Sequence, residues 1–237
     1  MNLKHRWVWP LLACICLPHA RAPGVQLWAE ALGQMPLLTS AMELNRTNCV
    51  DVMLKSFRSN EVVKALIFMP GATDEFYMFQ RAHARLVGHS PSLLDAVSAL
   101  TNQTLIRASF RAPMLLLHTE EDPLEADTRV ETPAACEQLR HYMLPHLLFN
   151  DCDWGTVQPC LKWPLKTQIR PWRDSKASWH FYRHSFAGWN LNGWEALEAT
   201  ALAGKSRFIV RGHGIVFEPD PRVLVAPNPP APGTIDQ

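Results

Sequence analysis

The sequence predicts an α+β fold built as two small related modules, each packing an amphipathic helix on a short mixed or antiparallel sheet. Three observations predict it. Leu93, Val97 and Leu100 recur at helical spacing and run into two β-rich stretches, Leu105 to Phe110 and Met114 to His118. The same grammar returns further on: Asn192 and Glu195 precede Trp194, Leu197, Ala201 and Leu202, and two more β-rich stretches follow, Arg207 to Arg211 and Ile215 to Glu218. Finally, the chain is 47% hydrophobic and 19% charged, enough apolar material for a packed core.

The first 22 residues read as a signal peptide. Lys4, His5 and Arg6 form a basic start, Trp7 to Leu17 is apolar, and Ala20-Arg21-Ala22 offers a cleavage site. The apolar run is too short to span a bilayer. Leu11-Leu12-Ala13-Cys14 also resembles a bacterial lipobox, which would tether the chain through a lipid on Cys14. Residues 23–40 lead into a first module over residues 41–125. There Asn48 is expected to cap a helix bearing Val50, Met53, Leu54 and Phe57, and Val62 to Met69 is an apolar strand closed by the Pro70-Gly71 turn. Phe76 to Val87 returns as a second strand. Ser90 is expected at the N-cap of the next helix, with Pro91 at its first position, where the missing N–H costs nothing. Arg111-Ala112-Pro113 turns the hairpin behind it.

Residues 126–150 connect the halves, with a helix over Pro133 to Met143. In the second module, residues 151–222, Asp153 to Leu165 stands where the first helix belongs, but Pro159 and Pro164 predict that it is short or broken. The repeat is aligned by matching Leu94-Asp95-Ala96 with Leu197-Glu198-Ala199, and Ala203-Gly204 closes the last helix. Residues 223–237 form a Pro-rich tail of extended, mobile composition.

Composition narrows function. Lys+Arg number 23 against 22 Asp+Glu, so no net field favours nucleic acid. Walker and dinucleotide fingerprints are absent, and no cofactor is expected. Gly88-His89-Ser90-Pro91-Ser92 imitates the nucleophile turn of α/β-hydrolases, and Ser90, Asp122 and His146 keep that family's order of serine, acid and histidine. Three facts weigh against this alternative. Ser92 stands at the motif's last glycine, Pro91 removes an N–H where the oxyanion hole needs one, and only 32 positions separate Ser90 from Asp122. His180 and His184, spaced i, i+4, are weak candidates for a metal, but a zinc site needs further converging ligands. Trp179, Phe181, Tyr182 and Trp189 belong to an aromatic-rich stretch and form the expected binding surface. Past the signal, Cys49, Cys136, Cys152 and Cys160 are either small buried hydrophobes or two disulfides, with Cys152–Cys160 the nearest pair in sequence. Asn45-Arg46-Thr47 and Asn102-Gln103-Thr104 match glycosylation sequons.

The order helix, strand, strand, helix, hairpin resembles the short N-terminal domain of secretins and TonB-dependent receptors, the STN or secretin N0-like domain. Arg85 to His118 resembles it most, Trp189 to Glu218 less so. The resemblance implies no catalytic residues. It implies a bacterial envelope protein, periplasmic, outer-membrane-associated or extracellular, whose modules contact an envelope or secreted protein, with membrane attachment only through the possible lipid on Cys14.

Overall fold

A computed structural model of the protein describes residues 23–69, 79, 82–118, 124–171, 183–212 and 214–222. Helix α1 (Pro23–Gly33) leads in. The first unit follows as β1 (Glu43–Leu44), α2 (Cys49–Ser56), β2 (Ala65–Phe68), β3 (Ala84–Arg85), α3 (Leu93–Gln103), β4 (Arg107–Arg111) and β5 (Met114–His118). After β6 (Thr128–Val130) and α4 (Pro133–His141), the second unit repeats that order as β7 (Met143–Cys152), α5 (Trp154–Leu165), β8 (Gln168–Pro171), β9 (His184–Asn192), α6 (Gly193–Ala203), β10 (Ser206–Arg211) and β11 (Gly214–Pro219). The fold is α+β, and pairing repeats along with order. β1 pairs antiparallel with β3 as β7 does with β9. The hairpins β4–β5 and β10–β11 match, and β2 lies parallel to β5 as β8 lies parallel to β11.

The repeat is in register through its capping boxes. Ser92 Oγ accepts from Asp95 N while the Asp95 carboxylate accepts from Ser92 N, and Asn192 and Glu195 do the same. This corrects two sequence readings. The N-cap of α3 is Ser92, and Ser90 lies upstream in an exposed bend. Asp95 corresponds to Glu195, so Leu94-Asp95-Ala96 aligns with Trp194-Glu195-Ala196 and not with Leu197-Glu198-Ala199. Asn48 precedes α2 without capping it; its side chain binds Asn45 N and Glu43 O instead.

α5 is continuous through both prolines. Pro159 and Pro164 remove bonds to the carbonyls of Gly155 and Cys160, and all four residues are exposed, so water can satisfy the freed oxygens. The helix stops at Lys166, which is left-handed at φ 48°. α6 departs from the amphipathic expectation because it is buried nearly all round, from Ala196 and Leu197 to Leu202 and Ala203. It runs between the two large sheets, and small residues let both backbones approach.

Those sheets are ordered β4-β5-β2-β9-β7 and β6-β10-β11-β8. The first is built from both units. β2 pairs antiparallel with β9 at Leu66↔Ala187 and Phe68↔Ser185. It therefore divides two cores. Leu66, Phe68, Leu115 and Leu117 face the α2–α3 side, while Ala65, Ile67, Met114 and Leu116 face α6 and the second unit. Buried on both faces, β2 and β5 are continuous apolar runs without alternation.

Candidate functional site

The seam between the units gathers the polar chemistry. Trp189 N donates to Lys64 O at 3.0 Å, extending the β2–β9 ladder. Lys64 Nζ lies 3.4 Å from Glu195 Oε1, and Arg111 pairs with Glu198 at 2.6 Å. Burial pushes the Glu198 carboxyl up, against the pull of Arg111. On the same face, Ser109 Oγ and His118 Nε2 stand 2.8 Å apart. Hairpin register explains the contact: Arg107 faces His118 and Ser109 faces Leu116, so Ser109 and His118 are same-face diagonal neighbours. No sequence motif marks this pair. The turn at Arg111-Ala112-Pro113 was the available signal, because it sets the register that brings them together.

The sequence-predicted serine site fares differently. Ser90 follows β3, a two-residue strand paired antiparallel in a two-stranded sheet, whereas a nucleophile elbow grows from a strand of a parallel sheet. His146 lies on β7 and stacks on Trp189 at 4.4 Å. Asp122 lies outside the described residues, as do Cys14, Trp179, His180, Phe181 and Tyr182. Trp189 is half-buried rather than displayed. Its ring meets Phe57 at 5.5 Å and the Arg58 guanidinium at 5.9 Å, so it glues the units together.

His184 is core, not surface. It is 3% exposed, on a strand rather than a helix, with Nδ1 3.4 Å from Cys152 O and its ring against Trp154. Burial pushes its pKa down to about 4. Gly204 closes α6 without a left-handed φ; a Cβ there would overlap the His184 ring, so the glycine is a packing requirement. Among the described residues no three His, Cys, Asp or Glu side chains converge as metal ligands.

The four cysteines are free thiols. The Cys152–Cys160 pairing is not formed because α5 carries Cys160 away from the end of β7. Seven residues beyond the Asp153 cap raise it about 10 Å along the helix, beyond disulfide reach. Cys49 is buried, and burial pushes its thiol up to about 12.

Two surface features remain. A hollow of about 120 Å³ between α4, the end of α5 and the β10–β11 hairpin is lined by Gln138, Tyr142, Lys166 and Thr167 among others. Ligand pockets usually start near 300 Å³, so it does not recommend itself for a sizeable ligand. Trp163 projects from α5 with 75% of its surface exposed and Lys162 5.7 Å over its ring. Trp154 is buried and Trp194 packs edge-on against Phe208. Of the tryptophans the structure describes in the second unit, Trp163 is thus the one displayed. In the sequence Trp163 is one of a cluster of tryptophans, and the expected binding surface falls on Trp179, Phe181, Tyr182 and Trp189 instead. Among the described residues, no helix is long and apolar enough to cross a membrane.

Comparison with known proteins finds no matching family model, no matching curated protein and no matching solved structure.

Proposed function

We propose that this is an exported, non-catalytic binding protein of the bacterial cell envelope that holds another protein through its second unit. The observation that carries the reading is Trp163. An indole left in water on a well-packed helix forfeits its burial energy in the free protein, and tryptophan dominates the centres of protein interfaces. The signal-like N-terminus supports export. The recurrence of helix, strand, strand, helix, hairpin in both units supports the STN-like resemblance, and with it an envelope partner.

The test is recovery of a partner from bacterial envelope extract on the immobilised chain, compared with Trp163→Ala. Being exposed, that substitution should leave the fold intact. A hot-spot tryptophan contributes about 2 kcal/mol or more, so the variant should bind roughly 30-fold more weakly. Equal recovery by both proteins removes the reading.

The Ser109–His118 contact favours one second reading, a serine nucleophile with its base, since 2.8 Å is within the range such pairs need. A fluorophosphonate probe that labels the protein, with labelling lost in Ser109→Ala, would support it. No labelling leaves the contact as a cross-strand hydrogen bond.

A further inference from the structure

The joint between the units need not stop at one. β2 of the first unit and β9 of the second are joined edge to edge. Each has a counterpart elsewhere in the chain: β8 corresponds to β2, and the strand at Ala84–Arg85 corresponds to the start of β9. Both counterparts are sheet edges among the described residues. A second copy could therefore dock its segment from Arg85 to Val87 against β8 of the first, repeating the β2–β9 pairing as far as the bend at Gly88. In that register Val87 takes the place of Ala187, which is buried in the joint, and Ile169 takes that of Leu66. Val87 is 85% exposed, an apolar side chain standing where the equivalent residue is covered. Such a joint is heterologous: copies added head to tail grow into a filament, or close into a ring where the rotation between them allows it.

Both outward edges are, however, occupied by side-chain amides. Gln103, at the end of α3, donates from Nε2 to Arg85 O and accepts from Arg85 N, each at 2.9 Å. It thus fills both bonding positions of the residue that corresponds to Ser185, which pairs with Phe68 in the joint. Gln158 of α5 donates to Ile169 O. Pro171, in the place of Phe68, has no N–H to give. The joined edges have no such fittings: the residue corresponding to Gln103 is Ala203, and the residue corresponding to Gln158 is Met53, both buried and apolar.

We propose that the β2–β9 joint is a general copy-to-copy interface, and that Gln103 on one edge, and Gln158 with Pro171 on the other, cap it so that the chain does not assemble head to tail. Natural sheets protect their edges in this way. The inference does not rest on the partner-binding function, which concerns Trp163.

The test gives each capped edge the residues of its open counterpart in the full chain and measures mass by sedimentation velocity. Gln103→Ala alone and Gln158→Met/Pro171→Phe alone should each stay monomeric, since each opens one edge only. An equimolar mixture of the two should form dimers, and the triple variant should form a concentration-dependent ladder of oligomers. Adding Val87→Lys to the triple variant should return it to monomer, because the charge would be buried in the joint. The proposal is overturned if the mixture of folded variants, checked by circular dichroism, remains monomeric. It is equally overturned if the wild type assembles as readily as the triple variant, or if oligomers persist with Val87→Lys.

Discussion

His184 shows how one buried side chain ties stability to pH. Its pKa falls from 6.5 to about 4 on folding because burial penalises the charged ring. The unfolded chain therefore takes up a proton before the folded one does. Stability from this group is complete above pH 6.5, declines as pH falls towards 4, and is then level. The decline amounts to roughly 3 kcal/mol. Urea midpoints at pH 7 and pH 4 should move apart in the wild type and noticeably less in His184→Gln; an equal shift in both would mean that His184 does not govern it. Its neighbour Gly204 packs against the same ring, so Gly204→Ala should destabilise by about 1–3 kcal/mol through overpacking, even though its backbone angles suit alanine. Cysteine chemistry separates in the same residue-level way. Cys160 is exposed, while the Cys49 thiol is buried and held up to about 12. At neutral pH, iodoacetamide should modify Cys160 in the native protein and reach Cys49 only after unfolding. Peptide mapping that finds Cys49 alkylated without denaturant would contradict the packing described around α2.

At the scale of elements, the start of α3 decides between two serines. Ser92 holds Asp95 N and is held by the Asp95 carboxylate, whereas Ser90 sits in an exposed bend. Ser92→Ala should cost about 1 kcal/mol and Ser90→Ala less than about 0.5 kcal/mol. Denaturation of the two variants side by side checks this, and the reverse order would restore Ser90 as the cap. The pair also marks what was legible in the sequence. The Asn192–Glu195 box, the two hairpins and the amphipathic stripe of α3 were readable, because they are set by spacing within a dozen residues. The cap at Ser92 was missed because Ser90-Pro91 carries a stronger local signal for a helix start, and the Asp95 partner that overrules it was assigned to another repeat position. α5 was misjudged because proline tolerance depends on whether the freed carbonyls meet water, which requires knowing the buried face. The burial of α6 on both sides was equally hidden: Trp194, Leu197, Ala201 and Leu202 read as a single apolar stripe, and nothing local places a second sheet behind Ala196, Ala199 and Ala203.

For the molecule as a whole, the five-stranded sheet shared by the two units is what composition alone could not announce. The sequence shows two units; it does not show that β2 of one completes the strand order of the other. The same ignorance displaced the expected binding surface, since Trp189 reads as a free aromatic until Phe57, Arg58 and His146 close around it. The consequence is cooperativity. β2 and β5 line both cores, and separating the units would strip Leu66 and Phe68 of the strand beside them and leave β9 an open, apolar edge. The units should therefore unfold together. In a urea titration, tryptophan fluorescence, reporting on Trp189 at the seam and Trp154 and Trp194 in the second core, should coincide with far-ultraviolet circular dichroism in one transition. Two resolved transitions would mean that each unit closes its own core and that the shared sheet contributes little. Cutting the chain sharpens the test. Residues 124–222, which keep β6 and α4, should self-associate when expressed alone through the uncovered β9 edge, and co-expression with residues 23–118 should return them to a soluble pair, because β2 supplies the strand that the edge lacks.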